Sequence, residues 1–189
     1  MLDLVSEADR LDIQASLEGD EEAYARLVRR YENRIASGMW RFTRVKAELE
    51  ELVQDVFVEA YLSLKGFKGR APFLHWLRKI GTRVGYRFWK QRRREQDRRA
   101  NLKDNLLLPV STPEAMTALE AADTLEAILD RLPPKDRLVL TLMYLEEGSI
   151  REVAEQTGWS VTLVKVRAHR ARKKLRALFV EAGKGDRHA

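Results

Sequence analysis

Cysteine is absent from this chain of 189 residues, and glycine and proline are scarce, at 10 and 5 residues. Without thiols, the chain has no disulfides, iron–sulfur clusters, thiolate zinc sites or cysteine nucleophiles. Few glycines and prolines exclude a collagen-like or Pro/Gly-rich disordered chain. No segment approaches the ~20 apolar residues of a membrane span, and the acidic start lacks the pattern of a signal peptide. We therefore expect a cytoplasmic protein of one or two small domains.

Charged residues are unevenly distributed along the chain. Residues 70–103 carry 12 basic and 2 acidic side chains, and residues 159–176 carry 7 basic side chains and no acidic ones. Residues 1–65 hold 9 basic against 14 acidic side chains, and residues 104–158 hold 4 against 11. A solvated helix face usually mixes both signs, so the basic blocks indicate surfaces for a polyanion. Charge alone leaves nucleic acid, a membrane surface and simple solubility open.

Helical spacing of apolar residues dominates and strand-type alternation is nearly absent, which predicts an all-α fold. One helix is predicted to begin at the N-cap Asp20, and a second to cover residues 49–64. Gly66 and Gly69 then interrupt the chain. A third helix follows and continues into the basic run 90–94. Its predicted buried positions are Phe73, Trp76, Leu77, Ile80 and Val84.

Helical periodicity is lost over residues 96–112. We interpret this segment as a flexible linker that joins two small helical domains, residues 1–95 and 113–189. The run Leu106–Leu108 is unusual for a free linker, and we expect it to dock on another surface.

Residues 149–176 have the pattern of a helix-turn-helix. Ser149 and Glu152 form a predicted capping box, Gly158 lies in the turn, and Ser160 caps the second helix. One face of that helix carries the apolar residues Val161, Val164, Ala168, Ala171, Leu175 and Leu178. The opposite face carries Thr162, Lys165, Val166, His169, Arg170, Arg172 and Lys173. Together with Ser160, this face is a candidate for reading duplex DNA in the major groove. A plain helical hairpin with a solvated basic face is the alternative.

The two halves together resemble the extracytoplasmic-function sigma factors, which are two-domain transcription-initiation subunits of bacteria. In the first half the resemblance rests on Glu51–Tyr61, Phe67–Gly69 and Phe73–Ile80. In the second half it rests on Leu132-Pro133, Arg137 with Leu140 and Leu142, Glu152–Ala154, and His169–Leu175. No single segment is decisive, whereas their joint order and spacing is specific.

The resemblance implies that one helix docks on the clamp coiled coil of the largest RNA polymerase subunit. The implied docking residues are Glu51, Gln54, Asp55 and Glu59. Their three carboxylates share one helix face, so the residues alone also allow a metal site or solvated charge. A metal site would require His or Asp from a second helix, and the sequence identifies no such donor.

The resemblance also implies that the loop 66–72 receives a base flipped out of the −10 promoter element. The implied −10 contacts are Phe67, Lys68, Gly69, Arg70, Arg83, Tyr86, Arg87 and Lys90. Tyr86 and Trp89 suit stacking on single-stranded bases, with half-burial in the protein as the equal alternative. Core packing is the alternative for Phe67 and the favoured role for Phe73. The helix-turn-helix is implied to read the −35 element, and the linker to pass through the polymerase.

Two departures from the family pattern leave the base preferences open. The family often has Asn or Asp at the positions of Arg83 and Arg87. Its recognition helix usually starts with Gly-Thr-Val, where this chain has Thr162–Val164, and continues to a serine, where this chain has Val166.

Sequence analysis therefore favours a sigma factor that acts by binding, without a catalytic site or cofactor. Its expected partners are core RNA polymerase, promoter DNA and an anti-sigma factor, with no direct membrane insertion. A stand-alone helix-turn-helix regulator would explain residues 149–176 but give the first half no task. An enzyme would need a nucleophile, a metal cluster or a phosphate loop, and the 3 histidines have no ligand spacing. A helical scaffold would leave both basic blocks unexplained.

Overall fold

The computed structural model describes residues 5–102 and 125–185, with residues 100–102 and 182–185 described by their backbone alone. Two units divide the chain, Met1–Phe88 and Trp89–Ala189. All regular secondary structure in the described residues is helical, which confirms the predicted all-α fold.

Three helices and a short turn precede the basic helix of the first unit. They are α1 (Glu7–Leu17), α2 (Glu21–Met39), α3 (Lys46–Ser63) and the 3₁₀ turn Leu64–Gly66. The predicted start of α2 is confirmed, because the Asp20 carboxylate accepts hydrogen bonds from the backbone N–H of Glu22 at 2.9 Å and of Ala23 at 3.1 Å. The buried faces supply Ala23, Leu27 and Ile35 from α2, and Leu52, Val56 and Ala60 from α3.

Two buried carboxylates attach α1 to α2. Asp9 accepts hydrogen bonds from Arg30 at 2.6 Å and from the Tyr31 hydroxyl at 2.5 Å, and Asp12 accepts them from Arg26 at 2.8 Å and Arg30 at 2.7 Å. Burial favours the neutral acid, but the bonds and charges of the two arginines outweigh it and hold the pKa of Asp12 below its ordinary value. The ion pairs of Asp12 therefore stabilise the folded protein fully at pH values above the pKa that Asp12 has in the unfolded chain. This stabilisation is lost as the pH falls through the lower pKa of the folded state.

The helix α4 spans Phe73–Leu102 and is 30 residues long. Its buried side chains include Phe73, Leu77, Ile80 and Val84 as predicted, whereas Trp76 is half-buried. The prediction of a linker over 96–112 is wrong for residues 96–102, which are helical.

Pairs of polar side chains stabilise the helix where the linker was predicted to begin. Gln91 donates to Glu95 at 3.1 Å, and Arg93 donates to Asp97 at 2.9 Å, both across one helical turn. A helix stabilised in this way has no apolar periodicity to detect in the sequence. Residues 103–112, with Leu106–Leu108 among them, lie outside the described residues.

Gly85 permits the close approach of α4 to the rest of the first unit. A Cβ atom at Gly85 would lie 2.3 Å from the ring of Phe42, which is only 1% exposed. At Gly81, one turn earlier, a Cβ atom would lie 3.2 Å from the Met39 sulfur, which sits on a flexible side chain. The packing therefore requires glycine more strictly at position 85.

The second unit begins with the last turns of α4, from Trp89 onward. Residues 125–130 are helical and form α5. The following elements are α6 (Pro134–Leu140), which continues as a π-helical turn (Thr141–Leu145), α7 (Ile150–Thr157) and α8 (Val161–Gly185). Leu129, Leu132, Leu140 and Ala171 form a core cluster, against which Leu175 and Leu178 pack.

The division between the units falls inside α4, earlier than the domain boundary expected at residue 95. Trp89 is 3% exposed and lies under the Arg137 guanidinium, which is 3.9 Å from the ring centroid. Arg137 also forms ion pairs with Glu126 and Asp130. These contacts join the end of α4 to α5 and α6.

We expect Gly85→Ala to lower the free energy of unfolding by about 1–2 kcal/mol. Overpacking against Phe42 costs roughly 1–3 kcal/mol, and the gain in helix propensity of about 0.5–1 kcal/mol offsets only part of it. Gly81→Ala is the matched control and should stay within about 0.5 kcal/mol of the unsubstituted protein, because Met39 can move aside. Urea denaturation followed by circular dichroism measures both, and equal stability of the two variants would contradict this packing argument.

Candidate nucleic-acid interface

A reciprocal pair of hydrogen bonds fixes the start of α7, the first helix of the helix-turn-helix. The Ser149 hydroxyl accepts from the Glu152 N–H at 3.3 Å, and the Glu152 carboxylate accepts from the Ser149 N–H at 2.8 Å. The predicted capping box is therefore confirmed. The bonds from Ser149 hold the pKa of Glu152 below its ordinary value.

The turn between α7 and α8 also has the predicted geometry. Gly158 has φ +73°, and its N–H donates to the Ala154 carbonyl at 2.9 Å. The Ser160 hydroxyl then accepts from the Leu163 N–H at 3.2 Å and caps α8. Glycine adopts this left-handed conformation without a Cβ penalty, so the direction of α8 is set by the sequence at the turn.

The inward face of α8 is confirmed at most of its predicted positions. Val164, Ala168 and Ala171 are at most 1% exposed, and Leu175 and Leu178 are partly buried. The prediction is wrong for Val161, which is 40% exposed. Side chains tilt toward the helix N-terminus, so Val161 at the first position of α8 projects beyond the packed part.

The outward face of α8 presents every candidate contact to solvent. The exposed residues are Ser160, Thr162, Lys165, Val166, His169, Arg170, Arg172 and Lys173. Arg172 donates a hydrogen bond to the hydroxyl of the exposed Tyr144 at 3.1 Å. Two other cations of α8, Arg167 and Lys174, instead bind the buried carboxylate of Asp136. The role of Asp136 was not predicted from the sequence, because an acidic residue in a first helical turn also satisfies the helix dipole.

The loop before α4 is anchored by an aromatic cluster. Phe67 is half-buried, with ring centroids 5.3 Å from both Phe73 and Trp76. Phe73 is 1% exposed, so core packing is confirmed for that residue. Lys68, Gly69 and Arg70 form the exposed tip of the loop. Gly69 has φ +64°, a conformation that favours glycine there.

On α4, two exposed arginines share one carboxylate of α3. Arg87 lies 2.5 Å and Arg83 3.7 Å from Glu59, whose side chain is 26% exposed. Tyr86 is half-buried and Lys90 is exposed on the same helix. The suggestion that Trp89 stacks on bases is wrong, because the Arg137 guanidinium covers its buried ring.

Three of the four predicted docking residues are exposed, and the fourth is half-buried in an ion pair. Glu51, Gln54 and Asp55 are exposed on α3, whereas Glu59 is engaged with the arginines of α4. No cluster of His, Asp or Glu suited to a metal ion occurs within residues 5–102 and 125–185.

An apolar groove of about 870 Å³ lies between α2 and α3, beside those docking residues. We call it the α2/α3 groove. Its lining comprises Glu21, Tyr24, Val28, Glu32, Asn33, Ala36, Leu49, Glu50, Val53, Gln54, Phe57, Val58, Tyr61 and Leu62. Tyr24 donates to the Phe57 carbonyl at 2.5 Å, and its ring packs edge-on to Tyr61. Burial raises the pKa of that Tyr24 hydroxyl.

The α2/α3 groove was not predicted from the sequence either. Val58, Tyr61 and Leu62 are 51%, 47% and 77% exposed. These residues of α3 lie outside the face that packs into the core. A second apolar face on a helix is the sequence feature that could have predicted an exposed groove.

A helix-turn-helix with an outward basic face, combined with a second basic helix, defines a DNA-binding factor of two helical units. The family patterns named Sigma-70 region 2 and Sigma-70, region 4 match residues 27–95 and 122–175 respectively.

Relatives match across most of the chain. The ECF RNA polymerase sigma-E factor of Haemophilus influenzae is 30% identical over 179 residues, which cover 88% of this chain and 94% of that one. The ECF RNA polymerase sigma factor SigW of Bacillus subtilis is 28% identical over 167 residues, 84% of this chain and 89% of that one. The chain belongs to the extracytoplasmic-function family of RNA polymerase sigma factors.

Solved structures agree with this assignment. CnrH, in its complex with the cytosolic domain of CnrY, is 29% identical with a TM-score of 0.55, covering 93% of this chain and 99% of that one. The sigma factor RpoE of Bartonella quintana, in complex with the anti-sigma factor NepR, is 19% identical with a TM-score of 0.52 and shares the fold. It covers 82% of this chain and 96% of that one. None of the described helices combines the length and apolarity that crossing a bilayer requires.

We expect Ser149→Ala to raise the pKa of Glu152 toward its ordinary value of 4.5. The capping box is present at neutral pH, and in the unsubstituted protein it is lost as the pH falls through the lowered pKa. An NMR titration of the Glu152 side chain measures the shift. Ser160→Ala, which removes the cap of α8 only, should leave that midpoint unchanged. If Glu152 had the same titration midpoint in Ser149→Ala and in the unsubstituted protein, the capping-box assignment would be contradicted.

Proposed function

We propose that this sigma factor binds core RNA polymerase and directs it to promoters through two DNA surfaces, one for each domain. The first domain docks on the polymerase and recognises the −10 element, and the second domain, which contains the helix-turn-helix, recognises the −35 element. The observation that carries this proposal is the capped helix-turn-helix whose outward face bears cations.

The −35 assignment rests on the outward face of α8. Lys165, Arg170 and Lys173 are exposed where they can neutralise phosphates or read guanine edges. The exposed Val166 has no core to fill and suits contact with a thymine methyl group. An apolar side chain between cations favours a base-reading helix over a merely solvated one.

The −10 assignment rests on the loop 66–72 and the exposed side of α4. Lys68 and Arg70 place positive charge at the loop tip, above the half-buried Phe67. Glu59 holds Arg83 and Arg87 together on the next helix. A flipped base could gain stacking in such a loop while the arginines bind the backbone of the melted strand.

The docking assignment combines charge and apolar surface on α3. The exposed carboxylates Glu51 and Asp55 lie beside the α2/α3 groove, whose edge includes Val58 and Leu62. A partner helix with an apolar stripe and flanking basic side chains fits this combination. We assign that role to the clamp coiled coil of the largest polymerase subunit.

The proposal extends to regulation and location. The similar structures contain CnrY or the anti-sigma factor NepR as the bound partner. Because this chain is similar to those proteins, we assign it an anti-sigma factor that binds it until a signal causes release. We place its action in the cytoplasm. In this proposal the chain acts by binding polymerase and promoter DNA, without a catalytic site or cofactor of its own.

Transcription from a randomised promoter library tests the proposed function. Purified bacterial core RNA polymerase is used with and without this protein. New start sites that share paired −10 and −35 motifs are expected only when the protein is present. No new start sites, combined with tight sequence-specific duplex binding by the protein alone and no binding to core polymerase, would instead identify a stand-alone helix-turn-helix regulator.

Charge reversal on α3 separates docking from DNA recognition. We expect Asp55→Lys to weaken binding to core polymerase at least tenfold, or roughly 1.4 kcal/mol, because it opposes the basic residues of the partner. Glu18→Lys is the matched control, since it reverses an exposed charge at the end of α1, where the helix dipole favours a cation. Fluorescence anisotropy measures binding, and circular dichroism checks the fold. Unchanged binding of Asp55→Lys would remove the docking assignment.

A further inference from the structure

Asp136 is a fully buried carboxylate that binds two cations of the recognition helix. It lies in the first turn of α6, and its side chain is 0% exposed. One carboxylate oxygen accepts from Arg167 at 3.3 Å and the other accepts from Lys174 at 2.6 Å. Arg167 and Lys174 are two helical turns apart, so they lie on the same side of α8.

Five cations of α8 fall into two groups by their partners. Lys165, Arg170 and Lys173 are exposed and have no ion pair within the described part of the chain. Arg167 and Lys174 point to Asp136 instead. The neighbours Lys173 and Lys174 show the division clearly, because successive residues are rotated by roughly 100° around a helix.

The exposure of the side chains alone does not explain why these cations fall into two groups. The Lys174 side chain is 48% exposed, so by accessibility it could extend toward a bound phosphate. Doing so would leave Asp136 buried with one partner fewer. Arg167 alone would then compensate the buried charge, and one carboxylate oxygen would lose its hydrogen bond, so the carboxylate competes with DNA for this lysine.

We propose that Asp136 is a positioning residue for DNA recognition, which withholds Arg167 and Lys174 from phosphates and fixes the rotation of α8. This inference rests on the proposed −35 role of α8. Phosphate contacts add affinity for any sequence, whereas base contacts discriminate between sequences. Holding two of the cations on Asp136 therefore lowers non-specific affinity relative to specific affinity, and keeps Arg170 and Val166 directed at the bases.

The salt dependence of DNA binding distinguishes the two groups of cations. The full-length protein is titrated with a mixed-sequence duplex of about 30 base pairs at several salt concentrations, and each phosphate contact contributes about 0.9 to the slope of log affinity against log salt. Lys173→Gln should reduce that slope by about 0.9. Lys174→Gln, the adjacent and chemically identical change, should leave the slope unchanged.

A second experiment releases the withheld cations. Asp136→Asn should steepen the salt slope by about 0.9 for each cation that reaches a phosphate, and should raise non-specific affinity. Adding Lys174→Gln in the Asp136→Asn background should reverse part of that increase. Glu181→Gln is the charge-matched control, because it removes an exposed carboxylate paired with Arg131 and should not change the number of phosphate contacts. Circular dichroism checks that each variant is folded, because unfolding would also free Arg167 and Lys174 from Asp136.

The outcomes separate this inference from the proposed function. Equal reductions of the slope by Lys173→Gln and Lys174→Gln would overturn the withholding by Asp136 and leave DNA recognition by α8 in place. No change with either variant would overturn the inference together with the −35 role of α8. A protein that binds no duplex even at low salt, alone or with core polymerase, would overturn the DNA-binding function itself.

Discussion

Two adjacent buried charges, Asp136 and Arg137, organise the second unit. Asp136 binds Arg167 and Lys174 of α8, while Arg137 lies over the Trp89 ring and binds Glu126 and Asp130. Consecutive residues of α6 thus connect the recognition helix on one side with α5 and the end of α4 on the other. The apolar cluster of Leu129, Leu132, Leu140 and Ala171 supplies burial energy, whereas this pair of charges specifies which faces meet.

Buried ion pairs often add little net stability, because desolvation cancels much of the attraction between the charges. Burial indeed lowers the pKa of Arg137, even though Asp130 and Glu126 act in the opposite direction. The benefit of such an arrangement is geometric. A leucine cluster tolerates small rotations of α8, whereas a carboxylate bound at both oxygens favours one rotation. Because major-groove reading requires side chains directed at particular base edges, this rotation matters more for recognition than the stability gained.

Local patterns in the sequence predicted the parts of the site that depend on neighbouring residues. Ser149 with Glu152, Gly158 and Ser160 each act within four residues of their partners, and all have the predicted roles. Contacts between distant residues were missed. Asp136 and Lys174 are 38 residues apart in sequence, and Trp89 is buried by Arg137 rather than left open to bases. The polar pairs within residues 91–97 of α4 leave no apolar period, and the predicted linker therefore began before the helix ends at Leu102.

Both units use one carboxylate to hold two cations of a helix that carries candidate DNA contacts, but the two carboxylates differ in accessibility. Glu59 is 26% exposed, and its partners Arg83 and Arg87 have side chains 55% and 59% exposed. Water can replace either partner there, so the arginines can exchange Glu59 for a phosphate at small cost. Asp136 is 0% exposed, and no solvent compensates it when a partner leaves. The same pairing is therefore easily exchanged at Glu59 and costly to break at Asp136, which is the difference expected if the arginines of α4 bind DNA and Arg167 and Lys174 of α8 do not.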